Sequence, residues 1–221
     1  MARTFFTSVH GGYSAKPFAS LNLGDQVGDN QTTVKRNRQQ VQDFLGLKKL
    51  IFMNQVHGSE VIEVVNDCET IPTCDALITR NKGVGLAVLT ADCIPLLIDG
   101  GDVVAAVHVG RKGLIAGVIS ETIKRMQQSG ALSFEAKLGP SICGDCYEVS
   151  PEMYREVSQD FPATSTDENR HCLDLGSGAI AQLQELGVRA STLDICTLES
   201  QDYFSYRRDG VTGRIAGIIS L

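Results

Sequence analysis

The sequence predicts an α+β fold, because strand-like and helix-like segments follow one another in groups instead of alternating strictly. Short apolar runs of strand type lie close together at residues 85–89, 94–98 and 103–108. An amphipathic segment of helical length, residues 113–128, follows them and is closed by Gly130. Grouped strands with separate helices are typical of α+β folds, whereas strict alternation indicates a doubly wound parallel sheet.

The remaining elements are predicted from apolar periodicity and from residues that begin or end helices. Asn30 is placed as the N-cap of a helix that extends to residue 45, where Gly46 stops it. Pro151 opens another helix, since proline is favoured at the first helical position. The other predicted helix spans residues 177–186, and the other predicted strands are 3–9, 49–56, 60–65 and 214–221.

Composition limits the class of protein. The 221 residues are 43% hydrophobic, and no linker-like stretch divides them, so we expect one domain over residues 1–221. The net charge of -6, without a basic run or a basic aromatic stripe, argues against general binding to nucleic acid or membrane surfaces. The sequence has no signal-peptide core and no long apolar span. Seven cysteines without an export signal therefore indicate reduced thiols in the cytoplasm.

Two of the four histidines and one cysteine form a candidate metal site. His57, Cys93 and His108 supply nitrogen and sulfur donors of the kind that zinc prefers, and three protein ligands leave a fourth position for water. They are too far apart to match a local zinc motif, so they must meet through the fold. On residue types alone an alternative stays open, in which His57 ends a strand, Cys93 is a buried apolar residue and His108 is a hydrogen-bonded core residue.

Four segments carry a family resemblance, and they occur in one order: Asn54-Gln55-Val56-His57-Gly58, Thr90-Ala91-Asp92-Cys93, Gly139-Pro140-Ser141-Ile142 and Phe204-Ser205-Tyr206-Arg207-Arg208-Asp209-Gly210. The chain resembles YfiH-type proteins, also called laccase-domain or polyphenol oxidoreductase proteins. The resemblance implies a layered sandwich of mixed β-sheets with helices packed outside, an α/β/β/α arrangement. It also implies that His57, Cys93 and His108 bind zinc and form the catalytic centre.

The same resemblance implies a zinc-dependent purine nucleoside phosphorylase that also deaminates adenosine. The expected partners are phosphate and a small nucleoside (adenosine, inosine or methylthioadenosine), whereas the oligomeric state stays open. Arg207 and Arg208 are the predicted phosphate ligands, with Lys112 as a further one, because arginine forks match phosphate oxygens in bidentate fashion. Arg214 belongs to the same basic cluster. The alternative interpretation of this region is a solvated hairpin turn at Arg208-Asp209-Gly210.

Other motif residues extend or weaken this expectation. Asp75 and Asp92 lie in motif segments and are candidates to orient a ligand histidine or to transfer protons. Where the family usually has tryptophan and arginine after its second histidine, this chain has Arg111 and Lys112, and Val9 replaces a common arginine. These departures affect the predicted recognition of base and phosphate, but they leave the three metal ligands intact.

Cys143 and Cys146 form a C-x-x-C motif, which is typical of redox centres or of half a zinc site. No second C-x-x-C completes a zinc ribbon, so we interpret this pair as incidental neighbours of the active site. The zinc deaminase signature is excluded, because no histidine in the sequence is followed by glutamate at the required position.

Two further function classes stay open. A copper-dependent polyphenol oxidoreductase is one, but four histidines cannot supply both a blue-copper site and a trinuclear centre. Copper is therefore considered only as an alternative to zinc in the same site. A metal-free cysteine hydrolase is the other class, with Cys93 as nucleophile and His108 as base.

Overall fold

The computed structural model describes residues 2–65, 71–166 and 168–221. Its strands are β1 (Arg3–Phe6), β2 (Lys49–Ile51), β3 (Val61–Val64), β4 (Ala76–Thr79), β5 (Val84–Thr90), β6 (Ile94–Asp99), β7 (Val104–Val109), β8 (Glu135–Leu138), β9 (Arg189–Thr192) and β10 (Ile215–Ser220). Its helices are α1 (Gln31–Phe44), α2 (Arg111–Ile115), α3 (Val118–Gln128), α4 (Pro151–Asp160), α5 (Leu175–Glu185) and α6 (Tyr206–Asp209). None of these described helices has the length and apolar character that crossing a membrane requires.

The strands form two sheets that pack face to face. One sheet has the order β1-β10-β5-β2, and the other has the order β3-β4-β7-β6-β8-β9. Most neighbours are antiparallel, but β2–β5, β3–β4 and β8–β9 are parallel pairs. Helix α1 covers the outer face of the first sheet, and α2, α3 and α5 cover the outer face of the second. This α/β/β/α sandwich confirms the predicted fold class.

Side-chain alternation along the central strands separates the apolar layers. In β5, Leu86 and Val88 point into the layer between the sheets, whereas Ala87 packs in the layer beneath α1. In β6, Leu97 enters the same inner layer, while Leu96 packs toward the outer helices. Burial of a leucine or valine side chain stabilises a fold by about 1.5–3 kcal/mol. These layers therefore hold the ends of β5 and β6 in place.

Local capping explains where two of the helices begin. The Asn30 side chain accepts a hydrogen bond from the backbone N–H of Thr33 at 3.1 Å, which satisfies a donor of the first turn of α1. That helix is followed by Gly46, whose φ of +64° is a conformation that glycine adopts without steric cost. Pro151 begins α4, and the Ser150 side chain caps it. The predicted start and stop residues of α1 and the start of α4 are confirmed.

The predicted helix over residues 113–128 is two helices in the structure. Helix α2 ends at Ile115, α3 begins at Val118, and Gly117 between them has a φ of +80°. A residue with positive φ leaves the right-handed helical region, so the prediction of one continuous helix is wrong. The first of the two helices also begins earlier than predicted, directly after Gly110.

Strands β4, β8 and β9 are absent from the prediction. Strand β9 is the edge strand of the larger sheet and β8 lies next to it. Both expose part of their side chains, so their polar residues interrupt the apolar pattern that predicts a strand. The predicted strands 3–9 and 49–56 end earlier, at Phe6 and Ile51. Beyond Ile51 the chain leaves the sheet, and Asn54 forms only an isolated bridge to Thr73.

Candidate active site

The three predicted metal ligands lie together. His57 is in the loop between β2 and β3, Cys93 joins β5 to β6, and His108 is in β7. One ligand atom of each residue lies within 4.8 Å of the other two, and the His57 and His108 rings meet edge to face with their centroids 4.6 Å apart. Tetrahedral zinc separates its nitrogen and sulfur ligands by roughly 3.3–3.8 Å, so small side-chain adjustments suffice for binding. We call these three residues the metal triad.

The metal triad lies where the chain crosses from one sheet to the other. Strand β5 belongs to the smaller sheet and ends at Thr90, whereas β6 belongs to the larger sheet and begins at Ile94. Strand β6 pairs with β7 so that Pro95 lies opposite His108. The crossing segment between the sheets therefore delivers Cys93 to the end of β7, which explains why ligands so distant in sequence meet.

Asp92 holds this crossing in an uncommon backbone conformation. Its φ is +97°, in the region that favours glycine. Its carboxylate accepts hydrogen bonds from the Thr197 hydroxyl and from the backbone N–H of Arg207, each at 2.7 Å, and its carbonyl accepts one from Ile142 at 2.9 Å. Asp92 therefore positions its neighbour Cys93, whereas orientation of the histidines falls to another carboxylate.

That carboxylate is Asp75, which is fully buried beneath both histidines. Its Oδ1 lies 2.8 Å from Nδ1 of His108 and accepts the backbone N–H of His57 at 2.9 Å. Its Oδ2 accepts the backbone N–H groups of Gly58 at 2.6 Å and of Val56 at 3.2 Å. The contact with Nδ1 leaves Nε2 of His108 as the atom for a metal, an arrangement common behind metal-binding histidines.

The charges of these groups are strongly linked. Burial favours the neutral form of His108, but hydrogen bonds with Asp75 and Cys93 outweigh it and raise its pKa to about 9. Burial would raise the pKa of Asp75, yet the hydrogen bond with His108 and those from backbone N–H groups hold that pKa below its usual value. Burial, followed by the charge of His108, lowers the pKa of His57, which favours the neutral imidazole that a metal requires.

Gly110 keeps the space beside the triad open. A Cβ atom at this position would lie 2.9 Å from Nδ1 of His57 and 3.1 Å from Sγ of Cys93. Such contacts are too close for an unstrained side chain, so any larger residue would push against two of the three ligands. The donor set and this small open space together fit a bound metal ion.

The metal triad lines a cavity of about 460 Å³. Met53 and Leu89 give this cavity an apolar wall, and Gln55 adds an amide. The amide is fixed, because Gln55 both donates to the carbonyl and accepts from the N–H of Leu89 at 2.8 Å. Small-molecule sites commonly have volumes of about 300–1,000 Å³ with few polar groups, so the cavity suits a ligand of nucleoside size.

The region for which a hairpin turn was the alternative interpretation contains the short helix α6, which ends at Asp209, and the two arginines of this helix are engaged by the protein. The guanidinium of Arg208 donates to the carbonyls of Thr197, Leu198, Ser200 and Tyr203 at 2.8–3.1 Å and to the Asp209 carboxylate. Arg207 donates from its side chain to the carbonyl of Glu148 at 2.7 Å. Neither arginine is among the residues that line the cavity, so the geometry argues against Arg208 as a phosphate ligand.

Arg214 is the arginine that lines the cavity. Its Nη1 donates to the carbonyls of Thr212 at 3.0 Å and Gly213 at 2.8 Å. Within the described part of the chain, its Nε and Nη2 donate to no protein group, which leaves them for a ligand. Burial lowers the pKa of Arg214, while Cys93 and Asp92 act in the opposite direction, so the guanidinium stays a cation that faces the triad.

Lys112, the third predicted phosphate ligand, is an exposed residue of α2. It lies close enough to His57 to contribute to the lowered pKa of that imidazole, after burial and His108. It does not line the cavity, so it lies near the triad but at its outer side.

The fold and the triad define an α/β/β/α protein with a candidate metal site at the crossing between its sheets. The chain belongs to the multi-copper polyphenol oxidoreductase laccase family, whose model matches residues 3–221. It is similar to purine nucleoside phosphorylases of Streptomyces coelicolor and Streptomyces griseus, at 43% and 45% identity, over 98% of this chain and 94% and 93% of theirs.

Solved structures agree with this assignment. Crystal structures of a Neisseria meningitidis protein and of Bacillus licheniformis YfiH match the fold with TM-scores of 0.89 and 0.91, at 36% and 27% identity. The matches cover 100% of this chain and 94% and 92% of those chains. The predicted YfiH-type family is therefore confirmed.

Proposed function

We propose that this chain is a zinc-dependent purine nucleoside phosphorylase, with adenosine, inosine and methylthioadenosine as candidate substrates. One observation carries the proposal: the metal triad lines a cavity of nucleoside size that Arg214 also lines. The two Streptomyces relatives support the same reaction, because both are named purine nucleoside phosphorylases.

His57, Cys93 and His108 would hold the zinc ion, which would supply a Lewis acid inside the cavity. The protein's own contribution begins with Asp75, which keeps Nδ1 of His108 engaged and fixes the loop that carries His57. Met53 and Leu89 present apolar side chains to the same space. The residues therefore bind and orient the reacting groups.

Phosphorolysis forms a bond between a phosphate oxygen and C1′ of the ribose while the bond between C1′ and the base nitrogen breaks. The anion must be fixed beside a sugar that develops oxocarbenium character, so a positioned cation is required. We assign this task to Arg214, because it lines the cavity and keeps donors for a ligand. Lys112 is the second candidate, whereas the side chain of Arg207 donates to the carbonyl of Glu148 and does not line the cavity.

Deamination of adenosine is proposed as a second activity of the same cavity. It replaces the 6-amino group with oxygen from water and releases ammonia, so the base and not the sugar must face the triad. A cavity of about 460 Å³ accommodates either orientation of a nucleoside, and analysis of the products separates the two reactions.

A metal-free cysteine hydrolase is a second candidate function, favoured by one observation. A ligand atom of Cys93 lies within 4.8 Å of one of His108, and His108 is held by Asp75 in turn, which is the order of nucleophile, base and orienting carboxylate. Exhaustive chelation decides between the candidates. The zinc proposal expects turnover to vanish and zinc to restore it, whereas full activity of the metal-free protein would favour the hydrolase.

A multinuclear copper centre does not fit this site. His10 is exposed and pairs with Asp202, and the ring of His171 lies against Tyr154, so neither belongs to the triad. Copper remains an alternative occupant of the triad itself, since it binds many nitrogen and sulfur sites more tightly than zinc does. Metal analysis of protein purified without chelating resin identifies the occupant.

The substrate is tested by incubating zinc-loaded protein with adenosine, with and without phosphate, and separating the products. Adenine and ribose 1-phosphate that form only with phosphate would support phosphorolysis, and inosine would reveal deamination. If the fully loaded protein forms none of these products, the nucleoside assignment is wrong.

A further inference from the structure

A second group of metal-type side chains lies apart from the metal triad. Cys143, Cys146, Cys196 and Glu199 each offer a ligand atom, and all four atoms lie within 4.8 Å of one another. The three cysteines are free thiols of intermediate exposure, and Glu199 is exposed. None of the four is among the described residues that line the cavity. We call this group the cysteine cluster.

The local backbone already arranges these side chains as ligands. The backbone N–H groups of Cys146 and Tyr147 both donate to the carbonyl of Cys143 at 3.1 Å, so the C-x-x-C segment turns tightly and gathers its thiols. The Cys143 N–H lies 3.5 Å from Sγ of Cys196, and Sγ of Cys146 donates to Glu199 at 3.6 Å. N–H groups directed at sulfur stabilise a thiolate, the form that binds metal.

The thiol of Cys146 lies close to the thiols of Cys143 and Cys196. Burial, followed by hydrogen bonds with Cys143 and Cys196, raises the pKa of Cys146, and repulsion between neighbouring thiolates adds to the shift. A cation at the centre would remove that repulsion.

We propose that Cys143, Cys146, Cys196 and Glu199 bind a zinc ion in a closed, structural site. Three thiolates are soft ligands of the kind that zinc and copper(I) accept, and the carboxylate oxygen of Glu199 completes a tetrahedron suited to zinc. Tetrahedral zinc places sulfur ligands about 3.8 Å apart, so the thiols need only a small contraction. Four protein ligands leave no open position, which is typical of a zinc ion that supports the fold.

The position of the cluster gives such an ion a definite task. It would join two segments that already meet at the bridge between Ser141 and Cys196. Ile142 of the first segment and Thr197 of the second both donate hydrogen bonds to Asp92. Asp92 holds the segment that positions Cys93. An ion in the cluster would therefore stabilise this segment through the hydrogen bonds of Ile142 and Thr197 with Asp92.

The test uses the Cys93→Ala protein, because this variant removes the only thiolate of the metal triad. The protein is prepared under reducing conditions and loaded with cobalt(II) in place of zinc. Every sulfur-to-cobalt charge-transfer band must then come from other cysteines. We expect about one metal ion per chain and intense thiolate bands, as three thiolates in a tetrahedral site require. Absence of stoichiometric metal from Cys93→Ala would overturn the proposal.

Matched variants in the same background locate the ion. Cys146→Ser should remove the metal and the bands, whereas Cys172→Ser, an equal change at a buried cysteine outside the cluster, should retain both. Glu199→Gln changes an exposed residue and should speed the loss of metal to a chelator without unfolding the chain. Metal that stays bound in Cys146→Ser as tightly as in Cys172→Ser would contradict the proposal.

Thiol titration of the denatured, metal-free protein tests the alternative that two cysteines of the cluster form a disulfide. We expect every cysteine to react, whereas two missing thiols in the region of Cys143 would show a disulfide and overturn the zinc site. The outcome is independent of the proposed catalytic function. If Cys93→Ala contains as much metal as the wild-type chain, the triad assignment fails while the cysteine cluster stands.

Discussion

The metal triad and the cysteine cluster bring similar donor atoms together in opposite surroundings. The triad lies where strands cross between two sheets, with the buried carboxylate of Asp75 behind it and a cavity in front. The cluster is built on two loops, and its own carboxylate, Glu199, is exposed. Three protein ligands leave an open position that suits chemistry, whereas four close the site, which suits support of the fold. The surroundings, more than the donor atoms, therefore separate a catalytic metal from a structural one.

The largest contrast is expected between Cys93→Ala and Cys146→Ser. Removal of Cys93 should lower turnover on the order of 10³-fold or more, because a metal contributes several kcal/mol of transition-state stabilisation. Cys146→Ser should instead lower the melting temperature and leave most turnover. Steady-state assays and thermal melts of both variants check this contrast, with Cys172→Ser as the control. Equal loss of turnover in both variants would remove the distinction between the two sites.

Asp75→Asn tests the buried carboxylate that only the triad has. The amide removes the charge that faces His108, so we expect zinc affinity to fall on the order of 10–100-fold. Competition with a chromophoric chelator measures the affinity. The control is Asp99→Asn at the far end of β6, where, among the described residues, the carboxylate accepts from the backbone N–H groups of Ala2 and Gly101 and contacts no member of the triad. If both variants bind zinc like the wild type, Asp75 is not a support of the triad.

Arg214→Ala tests which cationic side chain binds phosphate in the cavity. Loss of a charged hydrogen-bond donor should raise the Michaelis constant for phosphate roughly 10–100-fold while zinc content stays unchanged. Arg207→Ala should have a smaller effect, because its side chain donates to the carbonyl of Glu148. Arg208→Ala should mainly lower the melting temperature, since carbonyls of its loop lose their donor. A larger phosphate effect at Arg207 would restore the assignment made from the sequence.

The smallest expected effect is a change of thermal stability with pH in protein from which a chelator has removed the metal. Asp75 and Cys93 overcome burial and raise the pKa of His108 to about 9, above its ordinary value of 6.5. Its charged form therefore adds stability that is fully present below about pH 6.5 and is lost as the pH rises through about 9. Thermal melts of wild-type and His108→Asn proteins should converge across that window. A constant difference would show that His108 is neutral throughout.

The metal triad could be predicted from the sequence because donor chemistry and the family resemblance point to the same three residues. Their meeting in space depended on the fold. Asp75 was visible for the same reason. The contacts of Arg207 and Arg208 could not be predicted from the sequence. The direction of a side chain on the short helix α6 depends on which carbonyls surround it.

The positions of Arg214 and of the cysteine cluster depend on contacts between distant segments, which sequence spacing does not reveal. Arg214 was visible only as a member of a basic cluster, and its place in the cavity follows from the strand β10 that it precedes. Cys143 and Cys146 were recognisable as a pair, but their partner Cys196 lies 53 residues after Cys143. Strands β8 and β9 were missed because their exposed polar residues interrupt the apolar pattern that predicts a strand. In each case the missing information was a contact between distant segments.

The pairing of β1 with β10 joins two strands that lie far apart in the sequence. Arg3 lies opposite Ser220 in this pair, and β10 in turn pairs with β5, whose end leads to Cys93. Contacts of such high sequence separation form slowly, because the entropy of closing a long loop is lost before the contacts contribute favourable free energy. We therefore expect metal capture to be a late folding event: the ion binds a nearly finished sheet and does not nucleate it.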